Sequence, residues 1–356
     1  MATTYATRTF GTPTSPYKFT ISFWVKRSKL SVSHLAPMTA GTYGGGSPTN
    51  MAQFLFSGDD TLLCQAYNAA GSPKMLQDTN MKFRDTNGWY NIVLGVDGTL
   101  VTAGDRNKLY VNGVEITDFA SDQNADQNTD LAWNQDGIQC MIGNRAGISY
   151  YFDGYLSHVH FIDGTQYQAS DFGSTDATTG QWKINTAPSV TYGNNGFFIL
   201  KDGNSLTDQS GKGNDFTLGG GAILDMKDSP SDVYATMNNL DNQEQGTTFS
   251  VCNTKLEWNT NNKTNYATFA MNKGKFYWEM KYANITGGAD AMIGMSLADT
   301  RQPDDYPGHD STAWSYYASN GNKYNSGGSS YGDSWTTNDI IGVAFDADTR
   351  TLWFSK

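Results

Sequence analysis

The chain has 356 residues, of which 38% are hydrophobic, 13% aromatic and only 17% charged, with a formal net charge of −11. Its length exceeds the usual domain of roughly 100 to 200 residues, and the hydrophobic share can fill a core in each of two. The negative balance, with no cluster of Lys or Arg, argues against nucleic acid and an anionic membrane surface as partners; its expected role is to keep a loop-rich particle soluble.

Met1–Phe10 lacks an apolar h-region and a cleavage-like site, so no secretory signal is expected. No run reaches the roughly 18 apolar residues of a membrane span. Thr3–Phe10 already reads as strand material. In Lys18–Lys26, Phe19, Ile21, Phe23 and Val25 face one way and Lys18, Thr20, Ser22, Trp24 and Lys26 the other, the period of a half-buried strand. Tyr90, Ile92, Leu94 and Val96 repeat it. Lys108–Thr117 (KLYVNGVEIT) centres on Asn112-Gly113, a strong hairpin signal because both central residues of a type I′ turn need φ > 0. Cys64 and Cys140 sit in apolar runs as small buried thiols, and with Cys252 they are too few and scattered for a disulfide framework. Maturation in a reducing cytoplasm, or without bridges, is expected.

From about Gln181 to Gly246 the chain carries Pro188, Pro230 and Gly219–Gly221. Structureless loops of that length are uncommon, so part of it should pack back, with one short strand at Phe197–Leu200 and a hinge near Asn238–Thr248. Alternation resumes with Phe276, Trp278, Met280 and Tyr282 against Lys275, Tyr277, Glu279 and Lys281. No long helical period occurs. The expected fold is all-β: two antiparallel β-sandwich (jelly-roll) domains in tandem, over 1–185 and 245–356, with a loop-rich connecting segment over 186–244.

Gly274–Met280 (GKFYWEM), Ile293–Asp299 (IGMSLAD) and Tyr331–Lys356 (YGDSWTTNDIIGVAFDADTRTLWFSK) together resemble the SPRY domain. In that family the strand at Thr351–Ser355 turns at Asn-Gly and feeds further strands, so the resemblance implies a second domain truncated at its C-terminus, the N-terminal part of a longer polypeptide. Phe19–Ser28, Gly88–Gly98, Leu109–Ile116 and Ile142–Gly164, with the F-x-G-x-L/I-x-x-V pattern at Phe152–Val159, resemble a laminin-G-like, concanavalin-A-type jelly roll. Their pairing resembles structural proteins of marine tailed phages, particularly tail or fibre components.

Catalytic residues are not assigned. Jelly-roll glucanases need two carboxylates about 5 Å apart across the glycosidic bond, and Glu115, Glu244, Glu257 and Glu279 are widely separated. The pairs Asp59-Asp60, Asp304-Asp305 and Asp346-x-Asp348 lie in turn contexts and read as solvated loops. There is no G-x-S-x-G elbow, no Cys/His neighbourhood and no phosphate-cradling loop. His158 and His160, two apart on one strand, share a face, but two ligands do not make a metal site. His34 and His309 add no spacing. No cofactor is assigned; calcium stays open through hard oxygen ligands such as Asp59, Asp60 and Asp97, none selected by a motif.

What remains is surface recognition. Tyr43 (GTYGGGS), Tyr67 (QAYNAAG), Tyr306 (DDYPG), Tyr316, Tyr317 and Tyr324 stand among Gly, Ser and Asn, where rigid aromatic contact area and adaptable polar neighbours suit sugar or protein binding. Trp314 and Trp335 are weighed as core fillers, with Trp335 in the family's Y-G-x-x-W position. Trp24 is an interface candidate if its face stays open. The reading is a non-enzymatic structural protein of a phage virion, a tail fibre, tail-associated or capsid decoration component. It would contact host-surface glycan or protein and other virion proteins, assemble as a homo-oligomer with a trimer ahead of a dimer, and reside in the virion after assembly in the host cytoplasm. A cellular lectin or adhesin of the same folds is the alternative, and a glycoside hydrolase a more distant one.

Overall fold

The computed structural model describes residues 3–44, 47–68, 70–145, 150–201, 205–224, 226–239, 247–251, 253–258, 264–283, 291–297 and 305–356, leaving aside the side chains of 43–49. Among these there is no α-helix, only three 3-10 turns of three residues each. The fold is all-β and every strand pairing is antiparallel. The chain divides into two compact units, Met1–Val233 and Tyr234–Lys356.

The first unit contains β1 (Tyr5–Thr9), β2 (Lys18–Arg27), β3 (Leu35–Gly44), β4 (Ser47–Phe56), β5 (Thr61–Tyr67), β6 (Pro73–Lys82), β7 (Tyr90–Asp97), β8 (Asn107–Val111), β9 (Val114–Glu115), β10 (Phe119–Gln123), β11 (Gln139–Ile142), β12 (Gly154–Asp163), β13 (Gly173–Thr175), β14 (Trp182–Ile184), β15 (Phe197–Ile199) and β16 (Thr217–Gly220). Eight of these form one sheet, in the order β10-β6-β5-β4-β3-β11-β1-β16, and six form a second, β15-β12-β2-β7-β8-β9. Between them lies one apolar core in which Phe19, Ile21 and Phe23 of the six-stranded sheet meet Phe54, Phe56 and Trp133. Phe23 and Phe54 pack edge to face at 5.1 Å, a geometry favoured by the ring quadrupoles. This is a sandwich, as the alternation implies.

The other face of the six-stranded sheet departs from the expectation of a half-buried strand. Along β2 the residues read as outward, Thr20, Ser22, Trp24 and Lys26, are all buried. The reason is tertiary: residues after β12 fold back over them. Thr20 Oγ1 donates to the Thr165 carbonyl at 2.8 Å and accepts the Tyr167 N–H at 2.7 Å. A second small core forms there from Val93, Ile162, Ala169 and Phe172, with Trp182 and Tyr192 against it. Trp24 is therefore covered by its own chain and is withdrawn as an interface candidate.

Asn112 and Gly113 take φ of 48° and 81°, the expected I′ turn. Gly113 has an added reason to be glycine, since a Cβ there would lie 2.4 Å from the Trp182 ring. The connecting segment, read over 186–244 as loop-rich with a short strand at Phe197–Leu200, supplies β15 to one sheet and β16 to the other. The compact first unit extends to Val233 for that reason.

The second unit contains β17 (Thr247–Ser250), β18 (Lys255–Trp258), β19 (Lys275–Lys281), β20 (Met292–Ser296), β21 (Ala313–Tyr317), β22 (Asn322–Tyr324), β23 (Gly328–Ser330), β24 (Ile340–Asp346) and β25 (Thr351–Ser355). A three-stranded sheet β19-β24-β25 and a four-stranded sheet β20-β21-β22-β23 are joined by a core of Tyr316, Ala318, Trp335 and Ile341, with Met280, Ile293 and Phe354 at its margin. Trp335 is the expected core filler, edge-on to Tyr282 at 5.2 Å.

Candidate functional site: a tyrosine cluster on the second unit

The register of β21 against its neighbours decides which tyrosines can serve recognition. Tyr316 lies opposite Ile293 and Lys323, whereas Ser315 lies opposite Gly294 and Tyr324. Successive side chains alternate faces, so Tyr316 points into the core and Tyr317 and Tyr324 point away from it. Tyr316 is 2% exposed, with its hydroxyl on the Asp333 carbonyl. This corrects its reading as a binding residue: burial against Trp335 and Phe354 removes it from any ligand. Burial is also the main cause pushing its phenol above the usual tyrosine range, with Asp333 and Tyr331 adding to it.

Tyr306, Tyr317 and Tyr324 are brought together. Tyr324 stands edge to face with Tyr306 at 5.8 Å and with Tyr317 at 5.7 Å. Tyr306 makes a similar contact with His309 at 5.4 Å, and His309 Nδ1 is 3.2 Å from an Asp305 oxygen. The loop that carries Tyr306 is seated by its turn. Gly308 has φ of 94°, and a Cβ there would lie 2.5 Å from the Tyr324 carbonyl, so only glycine allows this approach. Ser326 N–H closes the loop onto the Gly308 carbonyl at 3.1 Å. All three tyrosines are half-buried, with His309 exposed beside them. The result is an aromatic patch bordered by Asp305 and His309. It can stack against an apolar face and exchange hydrogen bonds at its rim.

The remaining sequence candidates lie elsewhere. Tyr67 is the last residue of β5 in the first unit, its hydroxyl donating to Gln65 Oε1 at 3.1 Å. Tyr43 falls on β3, but its side chain lies outside the described residues.

The acidic candidates are dispersed. Glu115 pairs with Lys108 at 2.9 Å, Glu257 with Lys255, and Glu279 accepts the Tyr277 hydroxyl at 2.9 Å. These three are on separate strands, β9, β18 and β19; Glu244 and Asp304 lie outside the described residues. Asp60 departs from the solvated-loop reading: it is buried, with Arg27 at 3.1 Å, Arg84 at 3.2 Å and the Ser31 N–H at 2.7 Å. Burial opposes its ionisation, but the Ser31 bond and the two guanidiniums outweigh that and hold its carboxyl below the usual aspartate range. Asp59 accepts from Thr61 at 3.1 Å, and Asp97 pairs with Lys18 at 2.9 Å. Asp346 caps a turn through the Asp348 and Thr349 N–H groups. Among the described residues no group of three or more His, Cys, Asp or Glu is arranged to hold a metal ion.

His158 and His160 do not present one open face. The ladder shifts between Ser157 and His160, and His158 has φ of 46°, the signature of a bulge. Both rings are buried against Phe198, at 5.7 Å and 3.9 Å, and His160 Nδ1 meets the Tyr192 hydroxyl at 2.9 Å. Burial first, then His158 and Lys201, push the His160 pKa well below the usual histidine range. Cys64 and Cys140 are free and buried; burial, partly offset by Arg8, pushes the Cys140 thiol up to about 12. Cys252 lies outside the described residues.

Known solved structures with which the chain aligns include a SAP-like pentraxin from Limulus polyphemus, at 15% identity over 47% of this chain and 72% of that one, with a TM-score of 0.33. The CBM40 of a Ruminococcus gnavus IT-sialidase aligns at 19% identity over 39% and 71%, TM-score 0.30. A putative carbohydrate binding protein from Bacteroides ovatus aligns at 16% over 62% and 59%, TM-score 0.34. In family terms, residues 2–170 match the concanavalin A-like lectin/glucanases superfamily and residues 275–356 match the SPRY domain. The chain thus carries a concanavalin A-like domain in its first half and a SPRY domain at residues 275–356.

Proposed function

We propose that this chain recognises carbohydrate without cleaving it, as a structural component of a phage virion. The observation that carries the binding reading is the surface cluster of Tyr306, Tyr317 and Tyr324 in a chain whose first domain is of lectin/glucanase type. Rigid tyrosines offer stacking area at low entropic cost, and their hydroxyls meet sugar hydroxyls at the rim. The non-catalytic part rests on the separation of Glu115, Glu257 and Glu279, each engaged with a different lysine or tyrosine, against a requirement for two carboxylates about 5 Å apart. The virion setting rests on the tandem order of the two domains. There the chain works as a homo-oligomer, a trimer ahead of a dimer, because closed symmetry covers sheet edges that a lone copy leaves open. Its partners are other virion proteins and host-surface glycan.

The test is incubation with soluble β-glucan, agar polysaccharide and bacterial O-polysaccharide. Retention without release of reducing ends is expected. Turnover that disappears in Asp346→Asn overturns the non-enzyme part, and a strictly monomeric mass by light scattering at micromolar concentration overturns the oligomer.

A further inference from the structure

The outward face of β19-β24-β25 carries two aromatic side chains that no core absorbs. Tyr277 on β19 and Trp353 on β25 are both opposite Ala344 on β24, so they stand two strand spacings apart, about 9.5 Å. Tyr277 is 63% exposed and Trp353 49%. Such exposure of single residues is ordinary on any surface; what is not ordinary here is how Tyr277 is held.

Gly342 follows two places before Ala344 and pairs with Glu279 and Ser355. A Cβ at Gly342 would lie 2.8 Å from the Tyr277 hydroxyl oxygen, 3.3 Å from its Cε2 and 2.7 Å from Ser355 Oγ. The phenol ring therefore lies down along the sheet, over the space a side chain at 342 would fill. Its hydroxyl is tied to Glu279 Oε1 at 2.9 Å, which fixes the ring in that pose. A tyrosine lying on a sheet and still mostly exposed turns a ring face, not an edge, to solvent. Around the two rings the same face carries Lys275, Glu279, Lys281, Asp346, Thr351 and Ser355 by the alternation of the three strands, with one exposed aliphatic, Ile340, opposite Lys281 at the far end of β24, four residues from Ala344.

We infer that this face is a stacking platform for a saccharide chain, separate from the tyrosine cluster. The inference rests on the carbohydrate-binding reading and adds a second site to it. Pyranose rings have an apolar C–H face and a hydroxyl rim, which matches two exposed rings in a frame of charged and hydroxyl groups. A second copy of the chain would call for a contiguous apolar surface, since stable self-interfaces are more apolar at their centre. The small floor of Gly342 and Ala344 between the rings lets a linear chain lie across both.

The experiment is native affinity electrophoresis of the full chain in gels cast with soluble β-glucan, agar polysaccharide or bacterial O-polysaccharide, alongside sedimentation of each variant. Retardation by one probe is expected to weaken several-fold but stay measurable in Tyr324→Ala, and to weaken at least threefold further on adding Tyr277→Ala or Trp353→Ala. Gly342→Ala, which lifts the Tyr277 ring, should weaken it with both aromatics present. Retardation untouched by Tyr277→Ala and Trp353→Ala but lost in Tyr324→Ala overturns the platform and leaves the general reading standing. No retardation of the unmodified chain by any probe overturns both. A fall in oligomeric mass in Trp353→Ala with retardation unchanged makes the face a self-interface and likewise overturns the platform.

Discussion

Lys26 and Asp228, 202 positions apart, form an ion pair with Nζ and Oδ2 separated by 2.8 Å and both side chains removed from solvent. The Trp89 indole N–H donates to the same oxygen at 3.2 Å. The pair pins the far end of the first unit onto the outer face of β2, where a lone lysine would be costly.

Breaking that pair should cost more than any surface salt bridge in the molecule. Asp228→Ala leaves a buried ammonium with a lost partner, for which about 3–5 kcal/mol is typical. Replacing both, as Lys26→Met with Asp228→Leu, should recover most of it. Denaturant unfolding of the three chains checks this; a loss below about 1 kcal/mol for Asp228→Ala means the pair contributes little.

Acid should weaken the first unit through Asp60. Its folded pKa is depressed by Ser31, Arg84 and Arg27 against the opposing effect of burial. The stabilisation is therefore complete above the unfolded aspartate pKa near 4 and is lost as pH falls through the folded value. Denaturant midpoints between pH 5 and pH 2 should fall, and Asp60→Asn should flatten that fall while lowering stability at pH 7.

A second loss should set in at higher pH through His160. Its folded pKa lies well below the ordinary value because it is buried beside His158 and Lys201. Below about pH 6.5 the unfolded chain gains a proton that the folded chain does not, so stability declines by up to about 1.4 kcal/mol per pH unit for this site. His160→Phe, which keeps a ring on Phe198, should remove slope between pH 6.5 and pH 5. An unchanged slope there means His160 is protonated in the fold.

Two tyrosines eight residues apart should separate folding from recognition. Tyr316→Ala opens a cavity beside Trp335 and should cost roughly 3–5 kcal/mol of second-unit stability. Tyr324→Ala should shift unfolding little and weaken carbohydrate retention several-fold, in line with about 0.5–1.5 kcal/mol per aromatic contact. Thermal unfolding and affinity electrophoresis of both variants decide it; equal stability losses would make Tyr324 a core residue.

Residues that act through local backbone chemistry were legible in the chain itself. Asn112-Gly113 specified its turn because few residues tolerate two successive positive φ angles, and the period of 2 in Phe19–Val25 identified one face of β2 because side chains alternate on any strand. Trp335 was likewise readable as core. What only the tertiary structure decided was what covers the opposite face. Nothing in residues 18–26 signals that Thr165, Tyr167 and Asp228 return to cover Thr20 and Lys26, nor that Asp60 meets Arg27 and Arg84 in place of water. The tyrosines show the same division: composition marked Tyr306, Tyr316, Tyr317 and Tyr324 alike, whereas the strand register of β21 sent Tyr316 inward and Tyr317 and Tyr324 to the opposite face, where the loop seated by Gly308 brings Tyr306 against them. Alternation is a local property, but which side of a sheet is open depends on segments hundreds of residues away, and that contact is written in no single stretch of sequence.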